Sequence, residues 1–121
     1  MTTRVLSVSI PVTDQDAALR FYVDVLGCEL RTDREVWPGA RLVEVVPPGS
    51  DVGLVLLPQN SEIPMAVRMG TSDAEAAHRR LQNADVLLHN DEVIHLDGSP
   101  PMFFFADPDG NGLVYLQEPD D

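Results

Sequence analysis

The sequence predicts an α+β fold in which a βαβββ unit occurs twice, giving curled mixed sheets that enclose a cleft. Three observations support this: an internal repeat, strand and helix periodicities that recur in the same order, and turn sequences between them. The length of 121 residues and the 44% of hydrophobic residues fit one domain with a sizeable core. We therefore expect a single domain over residues 1–121, built from units 1–59 and 60–118.

The repeat is visible near both ends of the unit. The segment TDQDAALR at 13–20 returns as SDAEAAHR at 72–79, and GLVLL at 53–57 returns as GLVYL at 112–116. Both pairs are displaced by 59 positions (72 − 13 and 112 − 53). Self-similarity at a fixed displacement is typical of a duplicated supersecondary unit.

The first unit starts with a strand in which Val8, Ile10 and Val12 alternate with polar residues. A helix follows, capped at Thr13 or Asp14 and ended by Gly27. Its apolar stripe is predicted to consist of Ala18, Phe21, Tyr22 and Val25. Three further strands are predicted at Glu29–Asp33, Arg41–Val46 and Gly53–Leu57.

The second unit repeats this order. A strand is predicted at Ala66–Gly70 and a helix from Ser72 to about Asn83. Further strands are predicted near Val86–His89, Met102–Ala106 and Gly112–Gln117, and the DPDGN sequence at 107–111 favours a tight turn before the last of them.

The charge balance limits the function. All eight basic residues are Arg against 20 acidic residues, for a net charge of −12. The absence of Lys excludes Schiff-base chemistry and a P-loop lysine. The negative field opposes binding to nucleic acid or an anionic membrane, and it either favours a cationic ligand or serves only solubility.

Two further features concern location and cysteine chemistry. No apolar run approaches the ~18 residues of a membrane helix, and the N-terminus lacks the apolar core of a signal peptide. We therefore expect a cytoplasmic protein. The single Cys28 cannot form an internal disulfide, and its setting in LGCEL favours a small buried apolar residue over a nucleophile.

The candidate ligand-binding residues follow from strand alternation. The more apolar side of each sheet is expected under its helix, so the other side faces a ligand. That side would carry four polar residues: Ser7, Ser9, Glu44 and Arg68. The apolar candidates beside them are Trp37, Val55, Phe103, Phe105 and Val114. His95 lies in a loop that could reach the mouth of the cleft, whereas His78 is expected at a partly exposed helix position.

Glu44 and Arg68 have two interpretations. They could pair with each other, or they could serve a ligand. An Arg can bind a carboxylate or phosphate through two hydrogen bonds. Glu44 could act as a general base or as the counterion of a cationic ligand.

The segments SVSIPVTDQDAALRFYVDVLG at 7–27 and PMFFFADPDGNGLVYLQEP at 101–119, together with the paired units, resemble the vicinal oxygen chelate superfamily. That superfamily contains glyoxalases, extradiol dioxygenases and bleomycin-resistance proteins. The resemblance covers nearly the whole chain. It implies cup-shaped sheets, a small-molecule ligand and a homodimer.

The resemblance also bears on a metal. Metal-using members place ligands on the first and fourth strands of each unit, which correspond here to Ser7, Val55, Ala66 and Val114. None of these is a competent ligand, because Ala and Val lack a donor atom and a lone serine hydroxyl is a poor one. We therefore expect no metal and no other cofactor.

The resemblance, together with these residues, implies metal-independent binding of a small molecule, with sequestration of a cationic or aromatic antibiotic-like ligand as its role. The alternative is a lyase, isomerase or dioxygenase-type enzyme of the same superfamily. Such an enzyme would use Glu44 as its base or a divalent metal bound at other positions.

Overall fold

In a computed structural model, which describes residues 3–119, the chain divides into two compact units. The N-terminal unit comprises residues 6–65, and the C-terminal unit comprises 66–119 together with 3–5. The N-terminal unit extends past residue 59 because Ile63 packs against Ala40 and Leu57. No helix within the described residues is long and apolar enough to span a membrane.

The N-terminal unit contains four strands and one helix. In chain order these are β1 (Arg4–Val12), α1 (Gln15–Arg20) with a π-helical turn at Phe21–Val25, β2 (Glu29–Trp37), β3 (Ala40–Val46) and β4 (Gly53–Pro58). The strand order is β2-β3-β4-β1. Strands β1 and β4 are parallel and the other neighbours are antiparallel, so the sheet is mixed.

The C-terminal unit repeats this arrangement. Its elements are β5 (Val67–Thr71), α2 (Ala74–Asn83), β6 (Leu87–Leu88), β7 (Met102–Ala106) and β8 (Gly112–Gln117). The strand order is β5-β8-β7-β6, with β5 and β8 parallel. The predicted α+β class and the βαβββ order of both units are confirmed.

Each helix has an aspartate as its N-cap, at the same place in the repeat. Asp14 accepts a hydrogen bond from the backbone N–H of Ala17, and Asp73 accepts one from that of Ala76, both at 3.0 Å. These bonds satisfy amide groups that have no partner within the helix.

The apolar stripe of α1 differs from the predicted one. Ala18 and Tyr22 pack against the sheet as expected, but Phe21 and Val25 are 49% and 69% exposed. Leu19 and Val23 pack in their place, so the stripe is rotated about the helix axis. The sequence fits both stripes at helical spacing, and packing against the sheet selects one.

The two helices cover cores of different chemistry. Under α1 the core is aliphatic, with Val43, Val45 and Leu56 fully buried beside the buried Cys28. Cys28 is thus a buried apolar residue, as predicted. Under α2 the core is aromatic and contains Phe103, Phe105 and Tyr115.

Candidate functional site

The helix-free face of the N-terminal unit is the side of its sheet opposite α1. Because Val43, Val45 and Leu56 pack toward α1, the alternating residues of these strands lie on the other side. Strand register then places four residues in one row across the sheet: Ser9, Val55, Glu44 and Thr32. The predicted side is confirmed for Ser9, Glu44 and Val55. Ser7 lies two residues before Ser9 on β1, on the same side of the sheet, where it pairs with Gly53 and is 3% exposed.

Glu44 forms an ion pair with Arg31, a residue that the sequence analysis did not single out. Arg31 donates from Nη2 to Oε2 of Glu44. The two side chains are 14% exposed for Glu44 and 41% exposed for Arg31. Arg31 is the additional residue of a β-bulge, since Leu30 pairs with Val45 and Thr32 pairs with Glu44. Bulges redirect side chains in this way.

This ion pair leaves hydrogen-bonding capacity unused. Within residues 3–119 Arg31 is the only hydrogen-bonding partner of the Glu44 carboxylate, which leaves Oε1 without one. Every fully buried side-chain nitrogen and oxygen in that range has a partner, so Oε1, which has none, is not fully buried. Arg31 carries five N–H donors and uses one of them on Glu44. The pair therefore presents one acceptor and several donors.

One end of the helix-free face is covered by the segment that follows β4. Ile63 from this segment is buried together with Ala40, Val55 and Leu57. Trp37, at the end of β2, donates from Nε1 to Oε2 of Glu62 at 2.8 Å. Trp37 is 37% exposed, so this predicted ligand-binding residue lies at the border of the covered region.

The helix-free face of the C-terminal unit, opposite α2, has a different composition. Register places Arg68, Val114 and Phe104 in one row. Arg68 is 8% exposed and donates from Nη1 to the carbonyl oxygen of Ala66 at 3.5 Å. Arg68 and Val114 therefore lie on the side of the sheet that strand alternation predicts for them. Glu44 and Arg68 belong to different units, and the ion pair of Glu44 is formed within its own unit.

The placement predicted for Phe103 and Phe105 is wrong. Both rings pack under α2 with Tyr115, and Phe103 is fully buried. Phe104, which lies between them, is on the helix-free face. Glu44 on β3 pairs with Val55 on β4, whereas Phe104 on β7 pairs with Val114 on β8. The distance along the chain between the paired residues of the third and fourth strands is therefore one residue shorter in the second unit. A shift of one residue moves every side chain of a strand to the other face.

Two histidines also differ from expectation. His95 is exposed, and its Nε2 lies 3.8 Å from Oε1 of Glu75, so it stands beside α2 rather than on the helix-free side. His78 is 5% exposed instead of partly exposed. Its Nε2 is 2.9 Å from the carbonyl oxygen of Asn90, and its ring packs edge-on against Phe103.

The positions that correspond to the metal ligands of the superfamily do not fit a metal. Ser7, Val55, Ala66 and Val114 are all buried, and three of them have no donor atom in the side chain. Among residues 3–119 no group of three His, Cys, Asp or Glu side chains could hold a metal ion. No step of a mechanism can therefore be derived through a metal at these positions.

Two solved structures superpose on the chain and support the fold. Methylmalonyl-CoA epimerase from Mycobacterium tuberculosis superposes with a TM-score of 0.80 at 23% identity, covering 96% of this chain and 88% of that chain. Hypothetical protein BH1468 from Bacillus halodurans C-125 superposes with a TM-score of 0.79 at 18% identity, covering 100% and 98%. TnmS3, an antibiotic binding protein from Streptomyces sp. CB03234, is 30% identical over 96% of each chain, with a TM-score of 0.43.

The sequence comparisons identify the family. A search of curated proteins finds no match. The family described as Glyoxalase/Bleomycin resistance protein/Dioxygenase superfamily matches residues 4–115, which is nearly the whole chain. The protein therefore belongs to the Glyoxalase/Bleomycin resistance protein/Dioxygenase superfamily.

Proposed function

We propose that this protein binds a small organic ligand on the helix-free face of its N-terminal unit, without a metal. One observation carries the proposal: Oε1 of the largely buried Glu44 has no hydrogen-bonding partner and is not fully buried, and the spare donors of Arg31 lie beside it. The partly exposed Ser9 lies in the same row, beyond the buried Val55. A mostly apolar surface with a few fixed polar groups is typical of small-molecule sites.

The proposed role is sequestration of an aromatic or cationic, antibiotic-like compound. Membership of a superfamily that includes bleomycin resistance proteins supports this role. The same superfamily includes enzymes, and a fold does not determine chemistry. An enzyme of the lyase, isomerase or dioxygenase kind, with Glu44 as its base, is the alternative. Recovery of the bound compound unchanged after long incubation favours sequestration, whereas conversion favours the enzyme.

A ligand panel tests the site. Aromatic and cationic compounds are screened for those that raise the melting temperature. The best compound is then measured against Glu44→Gln and against Glu35→Gln, which makes the same change at an exposed position of β2. We expect E44Q to lower affinity at least tenfold, or ~1.4 kcal/mol. E35Q should leave affinity unchanged.

The stability of the free variant distinguishes a site from a structural ion pair. We expect E44Q to unfold within about 1 kcal/mol of the wild type, because Arg31 is 41% exposed and stays hydrated when the ion pair is lost. Unchanged affinity together with a large loss of stability would mean that the Arg31–Glu44 pair holds the sheet together and that the site is wrongly assigned.

We also propose that the protein is a homodimer. Four large apolar side chains of the segment 21–30 are exposed by 49% to 69%: Phe21, Val25, Leu26 and Leu30. Exposed apolar groups of this kind favour association. Light scattering should give twice the chain mass of 13.3 kDa. A mass near that of one chain at micromolar concentration would contradict the dimer.

A further inference from the structure

We propose that the Arg31–Glu44 pair recognises a neutral ligand group that carries a hydrogen-bond donor and an acceptor side by side, such as a carboxamide or a lactam. This inference rests on the proposed function and names the class of ligand. It departs from the cationic ligand that the net charge alone favours.

The first step is charge compensation. Arg31 binds Oε2 of Glu44, so the pair as a whole is neutral. A cation that approaches Oε1 also meets the guanidinium, and an anion that approaches Arg31 also meets the carboxylate. Each attraction is therefore offset by a repulsion at similar distance.

The second step is hydrogen-bond matching. Oε1 accepts only, and the remaining Arg31 groups donate only. A carboxamide offers its N–H to Oε1 and its C=O to Arg31, so both bonds involve a charged partner. Such bonds contribute more than those between neutral groups. The acceptor and the donors are held together by the ion pair before the ligand arrives.

The third step is the role of Gly53 as a positioning residue. A Cβ atom at this position would overlap Oε2 of Glu44 and Nη2 of Arg31, and it would lie 2.8 Å from Cδ of Glu44. Gly53 is not among the residues with positive φ, so its backbone does not require glycine. Glycine within a strand often marks the close approach of another group. We infer that Gly53 makes space for the ion pair to lie flat on the sheet.

Three probes of equal size test the ligand class: benzamide, benzamidinium and benzoate. Binding is followed by the shifts of the Gly53 and Glu44 backbone amide signals in nuclear magnetic resonance titrations. We expect benzamide to bind at least tenfold more tightly than either ion. A wild type that prefers benzamidinium or benzoate would overturn this inference and leave the proposed site standing.

Variants of the pair should change the preference in opposite directions. Arg31→Gln leaves the carboxylate uncompensated, so benzamidinium should become the preferred probe. Glu44→Gln leaves the guanidinium uncompensated, so benzoate should become preferred. If no probe shifts these signals in the wild type or in either variant, both this inference and the proposed function fail.

The role of Gly53 is tested by a mutant cycle. We expect Gly53→Ala to displace the ion pair and weaken benzamide binding at least tenfold, with only a small fall in melting temperature, because both overlapped groups are the ends of flexible side chains. In a background that carries both Arg31→Ala and Glu44→Ala, the same substitution should cause no further fall in melting temperature, because both overlapping groups are gone. An equal fall in both backgrounds, or wild-type benzamide binding by G53A, would overturn the assignment of Gly53.

Discussion

The two units share one backbone plan and differ in the chemistry that they place on it. The N-terminal unit has an aliphatic core and a charged pair on its helix-free face. The C-terminal unit has an aromatic core, and Phe104 occupies the row position that corresponds to Glu44. The order of strands and the helix caps are common to both. The two units therefore share their strand pairing and helix caps, whereas the side chains on both faces of their sheets differ.

The largest expected effect tests which face of β7 is the core. We expect Phe103→Ala to lower the free energy of unfolding by about 3–5 kcal/mol, since it opens a cavity in a fully buried cluster. Phe104→Ala removes the same atoms from the partly exposed face, and its cost should be less than half as large. Chemical denaturation of both variants measures the difference. A larger loss for F104A would mean that the faces are reversed.

This one-residue difference marks the limit of the sequence prediction. The displacement of 59 holds for the β1–β4 and β5–β8 pairings, because Ser9 pairs with Val55 and Arg68 with Val114. It fails at the third strand of the unit, where Phe104 takes the place of Glu44. Because Phe104 and Glu44 are not similar, an alignment of the two units by sequence does not reveal the shorter connection between the third and fourth strands.

The length of the strands shows a second limit. The bounds of β7 and β8 agree with the prediction, but β6 contains only Leu87 and Leu88. Beyond it, the backbone N–H of Phe104 donates to Oδ1 of Asn90 at 2.8 Å instead of to a strand carbonyl. Arg31 was missed for a related reason. Its ion pair with Glu44 depends on a β-bulge. The alternation of apolar and polar residues predicts neither a bulge nor which residues of two strands pair.

The attachment of each helix to its sheet offers the next comparison. Gln15 begins α1 and donates from Nε2 to the carbonyl oxygens of Arg41 and Leu56, both at 2.9 Å. In the C-terminal unit the direction is reversed, because Oε1 of Gln117 on β8 accepts from the N–H of Ala74, which begins α2, at 3.0 Å. Gln15 therefore acts as a hydrogen-bond donor, whereas Gln117 acts as an acceptor.

Substitution by glutamate should separate the two attachments. Gln15→Glu replaces the donor with a carboxylate that faces two carbonyl oxygens, and we expect a loss of about 2 kcal/mol. Gln117→Glu keeps an acceptor near the start of a helix, where a negative charge is favourable, and should change stability by less than about 0.5 kcal/mol. Urea denaturation at neutral pH provides the measurement. Equal losses would contradict the assignment of Gln15 as a donor and Gln117 as an acceptor.

A smaller effect depends on pH in the N-terminal unit. Arg41 donates to both carboxylate oxygens of Asp33, at 2.8 and 2.9 Å, and to Asp16 at 2.9 Å. The hydrogen bonds from Arg41 hold the pKa of Asp33 below its usual value of 3.8. Because the folded pKa is the lower one, this stabilisation is present above pH 3.8 and is lost as the pH falls through the folded value.

We expect Arg41→Met to lower the free energy of unfolding by about 1 kcal/mol at pH 7, since both ion pairs are partly exposed. The difference from the wild type should shrink below pH 4, where Asp33 begins to be protonated in the unfolded chain. Arg79→Met is the control, because Arg79 is exposed and has no ion pair within the described residues. A difference that stays constant from pH 7 to pH 3 would show that Arg41 acts through packing alone.

The smallest expected effect concerns metal, where the two units agree. Ser7 and Val55 in one unit, and Ala66 and Val114 in the other, are buried and lack a side chain that binds a divalent ion well. A structural metal contributes directly to folding stability, so its removal would lower the melting temperature. We expect a chelator to leave the melting temperature unchanged and elemental analysis to find no stoichiometric zinc, nickel, manganese or iron. About one metal ion per chain, or a chelator-dependent fall in melting temperature, would mean that the protein binds a metal through other residues than these four.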